Sequence, residues 1–144
     1  MGPPAGVHRG VLLICRRLPL ALFFLGAGAL HFVKPGAYEP TVPDALPAHR
    51  GIVYLSGVAE IAGALGVLHD RSARWAGWWL IALLVAVFPA NVNMAVHAER
   101  FRAVPEALLW GRLPIQGLLI GWVWWVSQPR ERQPGSNGRR KLRS

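Results

Sequence analysis

The sequence predicts an all-α protein, a transmembrane four-helix bundle, and three observations lead there. Hydrophobic residues make up 53% of the 144 residues, a figure that leaves out 16 glycines. The chain is nonetheless strongly basic, with 16 Lys and Arg against 7 Asp and Glu. The apolar residues are gathered into four long runs separated by polar turns. A soluble domain of this size has too little interior for so many apolar residues, and a disordered chain is poor in them. The single cysteine, Cys15, excludes a disulfide framework, a dithiol pair and a Cys-based zinc site.

The first run, Leu18 to Val33, has 16 residues and is preceded by apolar Val11 to Ile14. Gly51 to Leu68 adds 18, Trp75 to His97 adds 23 and Leu108 to Ser127 adds 20. A spanning helix needs about 20 mostly apolar residues, so the third and fourth are long enough as they stand. The first two extend through snorkelling Arg16, Arg17 and Arg50. These runs place helices at about 11–33, 51–68, 75–97 and 107–127, forming one domain over residues 1–127. Lys34 to Arg50 carries Pro35, Pro40, Pro43 and Pro47, which predicts an extended, stiff loop rather than a helix. The turn His69 to Arg74 is short, so the second and third helices are expected to be adjacent and antiparallel. Residues 128–144 read as a basic, disordered tail that attracts anionic lipid at about 1 kcal/mol per basic residue. The tail has no aromatic residue on which bases would stack, so nucleic acid is not an expected partner. A competing reading takes Arg16-Arg17, Leu18 to Leu25 and Ala27-Gly28-Ala29 as a cleavable signal peptide. Apolar Val11 to Ile14 before the arginines, and the run continuing beyond the would-be site, argue against it.

Orientation follows from the basic residues. With the N-terminus inside, the inner flanks hold Arg9, Arg16, Arg17, Arg71, Arg74, Arg130, Arg132, Arg139, Arg140, Lys141 and Arg143. The outer loops hold only Lys34, Arg50, Arg100 and Arg102. Both termini are therefore expected in the cytoplasm. Trp75, Trp78, Trp79, Trp122, Trp124 and Trp125 fall at the inner ends of the third and fourth helices, as an aromatic belt at one interface does.

Val42-Pro-Asp-Ala-Leu-Pro-Ala-His-Arg50 aligns without a gap on Val104-Pro-Glu-Ala-Leu-Leu-Trp-Gly-Arg112. Convergent helix-start chemistry explains the proline and the acid but not the arginine. The match raises the reading of two parallel helical-hairpin repeats about an axis along the membrane normal.

Gly26-Ala-Gly-Ala-Leu-His-Phe32, Val42-Pro-Asp-Ala-Leu-Pro47 and Tyr54-Leu-Ser-Gly-Val-Ala-Glu60 resemble stretches of the DoxX family of small four-helix membrane proteins. Phe88-Pro-Ala-Asn-Val-Asn-Met94 and Leu109-Trp-Gly-Arg-Leu-Pro-Ile-Gln116 resemble that family's third and fourth helices. The resemblance runs from Leu18 to Trp125. It implies a multi-pass protein of the bacterial inner membrane and a subunit supporting quinone-linked or thiol-related redox chemistry, with quinone as the implied cofactor and a membrane redox protein as the implied partner. It transfers no catalytic residue. The chain itself carries no flavin, haem or iron–sulfur motif, so no cofactor is evident in its residues.

Seven polar residues lie within the apolar runs: His31, Glu60, Asn91, Asn93, His97, Arg112 and Gln116. In the orientation above, all fall between the midplane and the outer surface. Glu60 is deepest, roughly 13 Å from Gly51 at 1.5 Å per residue. A charge at the centre of a spanning helix costs about 2.5–3.5 kcal/mol on insertion scales, so Glu60 needs a partner. Arg112 is the charged candidate and His31 and His97 the weaker ones. A structural ion pair and a ligand or proton site are both consistent with this pattern. Pro89 is expected to free the carbonyl of Val85 toward this polar region, and Asn93 and His97, at i and i+4, to share its face. His31, His97 and Glu60 are the one set from which a metal site would be assembled, and no two of them stand at metal-ligand spacing on one helix. Gly57, Gly63 and Gly66, like Gly117 and Gly121, read as close-packing faces. A ligand-binding pocket of these seven residues is the site expectation. The function is either support of membrane redox chemistry, as the resemblance implies, or non-enzymatic small-ligand binding or assembly of another membrane protein.

Overall fold

The computed structural model describes residues 5–102 and 104–128, with side chains from Cys15 onward. The expected tail from 129 lies outside the described residues. Five α-helices form: α1 (Ala5–Val33), α2 (Pro35–Tyr38), α3 (His49–Leu68), α4 (Ala73–Val96) and α5 (Glu106–Ser127). Two 3-10 turns, Glu39–Thr41 and Ala98–Phe101, complete the described elements, and no strand occurs among them. The four long helices fall on the four apolar runs.

Three of them are long and apolar enough to cross a membrane: α1 from Cys15, α3 and α4. Helix α5 has the length, at 22 residues, but is not among them. Arg112, Gln116 and four tryptophans dilute its apolar character.

Helix α1 packs along α3, α3 against α4 and α4 against α5. Chain direction alternates, so residues 16–17, 69–74 and 126–128 gather at one end, with most of the tryptophans. The loops 34–48 and 98–102 gather at the other. At the tryptophan end one core joins all four long helices, with Leu20, Phe24, Val67, Leu80, Val123 and Val126 buried together. At the far end the described residues form no common core. Met94, Ala95, Phe101 and Leu109 bind α4 to α5, and a glycine contact binds α1 to α3. A Cβ on Gly57 would stand 2.9 Å from the Gly28 carbonyl oxygen and 2.9 Å from the His31 Cβ. The two helix pairs thus share a base and separate above it. Contacts of this closeness hold helices together through van der Waals packing.

Several expectations need correction. The proline-rich loop is not simply extended. Pro35 starts α2, where its missing N–H costs nothing and its fixed φ suits a helix, and a 3-10 turn follows. Arg17 does not snorkel; it is buried, and its guanidinium pairs with Asp70 of the α3–α4 turn. Arg16 donates to the Val126 carbonyl at 2.8 Å and lies over the Trp125 ring. Both arginines are spent tying the chain together at this end. Gly63 and Gly66 pack against Leu80 and Ala76 as expected, but Gly117 and Gly121 have no neighbour within 4 Å of a built Cβ. They face away from the bundle. The two aligned nonapeptides also differ in structure. Val104 to Arg112 becomes helical from Glu106. In the first copy Pro47 stops any early helix, Ala48 takes a left-handed backbone (φ 56°), and α3 begins only at His49. Arg50 therefore sits in the first turn of its helix and Arg112 in the second of its own, so the two aligned segments differ in local structure.

Candidate functional site

The gap between the helix pairs is a half-open cavity of about 450 Å³. Its size lies within the range of small-molecule pockets. At about 30 Å³ per water volume it holds some fifteen waters' worth of ligand, enough for a small amphiphile and too little for a whole two-chain lipid. The floor nearest the shared core is apolar, with Phe24, Leu84 and Leu119. The roof is the 34–48 loop, through Tyr38, Thr41, Val42 and Leu46. Arg100 of the α4–α5 turn reaches Asp44 of the roof at 3.0 Å and ties the loop across the cleft.

Between floor and roof lies a belt of polar side chains. His31 and Glu60 are brought together because Gly28 and Gly57 let α1 and α3 meet backbone to backbone. Their side chains are 12% and 13% exposed, and His31 Nδ1 stands 3.9 Å from Glu60 Oε2. That separation is an ion-pair distance and not a hydrogen bond. The His31 Nδ1–H is donated to the Ala27 carbonyl at 2.9 Å, which fixes the tautomer and leaves Nε2 for other partners. Glu60 Oε2 is buried without a hydrogen-bond partner. Tyr38 stacks on the His31 ring, centroids 4.2 Å apart. Burial holds the Tyr38 phenol above its ordinary pKa, the Glu60 carboxylate adds to the rise, and Arg112 opposes it. Tyr38 thus stands within the fields of both charged residues of the belt.

Across the cleft, Asn91 and Gln116 join α4 to α5. The Asn91 Nδ2–H donates to Gln116 Oε1 at 2.9 Å, and Gln116 Nε2–H donates to the Leu84 carbonyl. Gln116 is 3% exposed. This amide links positions on either side of Pro89, but the carbonyl it takes is that of Leu84 and not the expected Val85. Val85 itself is 57% exposed, on the outside of the bundle. Arg112 lines the cavity as well, and its polar contact is the Met94 sulfur at 3.8 Å.

Five of the seven expected residues, His31, Glu60, Asn91, Arg112 and Gln116, therefore meet at one cavity. Asn93 and His97 do not line it. At 3.6 residues per turn, Asn93 lies about 200° around α4 from Asn91. His97 caps the helix C-terminus, with Nδ1–H donated to the Asn93 carbonyl at 3.1 Å. The set His31, Glu60 and His97 is thus not assembled, and among the described residues no group of three or more His, Cys, Asp or Glu is placed to hold a metal ion. Arg112 is not the partner of Glu60. The two share the cavity beyond ion-pair distance, and the side chain that stands 3.9 Å from Glu60 is His31. Tyr38 was missed by sequence reasoning. Its signal was Pro35, which can open a short helix and so carry the residue one turn later back over the bundle.

The fold and its cavity define a class: an all-α protein with three membrane-length apolar helices and a polar belt inside a cleft that one loop roofs. The chain belongs to the family described as a domain of unknown function (DUF8561), whose profile matches residues 20–127. This match overturns the DoxX resemblance. The runs that carried it are short stretches of Pro, Gly and other small residues in and between apolar helices. Unrelated spanning helices reach those solutions for the same packing reasons. No curated protein and no solved structure matches the chain.

Proposed function

We propose that this chain is a non-enzymatic, membrane-embedded binder of a small amphipathic molecule. The half-open 450 Å³ cavity carries the reading, because it joins an apolar floor to a polar belt containing a buried, unpartnered carboxylate oxygen. Such a pocket suits a ligand with one apolar and one polar end. The quinone and bacterial inner-membrane expectations rested on the DoxX resemblance and have no other ground in this chain. In this reading α5 crosses the bilayer with α1, α3 and α4, and both termini are cytoplasmic. The surplus of Arg and Lys on that side and the tryptophan belt support it.

The test is extraction into native lipid nanodiscs followed by native mass spectrometry. The wild-type protein is expected to carry a small molecule that the Ile115→Trp variant loses. Ile115 is an exposed wall residue outside the shared core, so the larger ring narrows the cleft without repacking the base. An empty wild-type protein, or a co-purified protein with no small molecule, would favour the assembly-factor alternative instead.

A further inference from the structure

We infer that the cleft takes a single-chain amphiphile whose groups run in a fixed order: apolar body, hydrogen-bond donor, acid. The inference rests on the binding reading above and specifies its ligand. The order follows from depth. Helices α3 and α5 both run from the roofed end toward the shared core. The Ala59 carbonyl beside Glu60 accepts from the Trp79 indole, whereas Arg112 touches Met94, fifteen residues nearer the roofed end of α4. Phe24, one turn on the core side of the Gly28 that meets Glu60, is the apolar lining residue that lies nearer the shared core than both. A ligand seated with its apolar part on the floor therefore passes Glu60 first and Arg112 second.

The chemistry of each level follows from what its side chains lack. Glu60 Oε2 is buried with no donor, since the nearby Nδ1–H of His31 is given to Ala27. It calls for an N–H or O–H on the ligand, because a buried acceptor left unsatisfied is costly. Among the described residues no carboxylate lies within ion-pair distance of the exposed Arg112, and the Met94 sulfur it touches is a weak acceptor. Its planar fork of donors matches a carboxylate. Glu60 and Arg112 do not satisfy each other, and one ligand head of this order satisfies both. An N-acyl amino acid has the three groups in sequence, with an acyl chain, an amide N–H and a terminal carboxylate.

N-dodecanoylglycine serves as the probe, added below its micellar range to the nanodisc-embedded protein and read by native mass spectrometry in pairwise competition. Its methyl ester removes the acid, and N-dodecanoylsarcosine removes only the N–H. The wild-type protein is expected to prefer dodecanoylglycine at least tenfold over each. Arg112→Gln should abolish the preference over the ester and keep that over the sarcosine. Glu60→Leu should do the reverse. Glu60→Gln retains an acceptor oxygen and should keep the N–H preference, which guards against a folding defect in the leucine variant. Equal binding of all three probes, or none, would overturn this ligand assignment and leave the cleft reading standing if Ile115→Trp still displaces an endogenous molecule. Probe binding unchanged by Ile115→Trp would instead remove the cleft reading itself.

Discussion

Gly28 and Gly57 meet so closely that a Cβ built on Gly28 would lie 2.8 Å from the Gly57 carbonyl oxygen. This contact sets the distance between α1 and α3 and, one turn away, between His31 and Glu60. Gly28→Val or Gly57→Val is expected to force the helices apart and to cost about 1–3 kcal/mol, the usual range for overpacking. Thermal unfolding in detergent measures it. Gly26→Val is the control, since nothing lies within 4 Å of a Cβ there, and it should leave the transition in place.

Gln116 satisfies groups on α4 at two points. Gln116→Leu removes the donor to the Leu84 carbonyl and the acceptor for Asn91 together, and should destabilise by about 1–3 kcal/mol for the groups left unpaired. Asn91→Leu alone removes one of these links and should cost less. The two losses should not add in the double variant, because they share a hydrogen bond.

The Arg17–Asp70 pair is lopsided, with side chains 6% and 73% exposed. Asp70→Asn leaves a buried guanidinium without its counter-ion, whereas Arg17→Met leaves a carboxylate that water already solvates. The first substitution is expected to lower the unfolding temperature more than the second. The reverse order would show that packing of the Arg17 stem outweighs its charge.

Tyr38 should titrate above a free phenol, because burial and the Glu60 carboxylate both favour its neutral form. The chain has two tyrosines, so Tyr54→Phe leaves Tyr38 as the only one to follow by tyrosinate absorbance. Adding Glu60→Gln should bring the titration down and adding Arg112→Gln should push it up. The folded pKa is raised, so the neutral phenol's contribution to stability is complete below the ordinary value of 10.0 and is lost as pH rises through the folded value.

Reporter fusions check the orientation. Fusions at Arg74 and at the C-terminus should report cytoplasm, and fusions near Pro43 and Arg102 the opposite side. A C-terminal fusion read on the outer side would show that α5 does not cross.

The residues alone determined the helical class and the positions of the four long helices. Apolar runs of this length favour helices, because a backbone among apolar side chains must satisfy its own hydrogen bonds. They also marked the polar residues worth watching, since an ionisable group in an apolar run stands out at any position in the chain. Which of those residues meet was decided only by the tertiary structure. Glu60 lies beside His31 rather than Arg112, because two glycines let α1 and α3 touch where bulkier residues would not. His97 is lost to the site because α4 ends one residue before it, and Asn93 because of its angle around the helix. Tyr38 enters because a proline starts a short helix in a loop that reads as extended. The cleft itself has no local signature. It exists because the two helix pairs share a core at one end only, a property of four helices packed together and of no single segment.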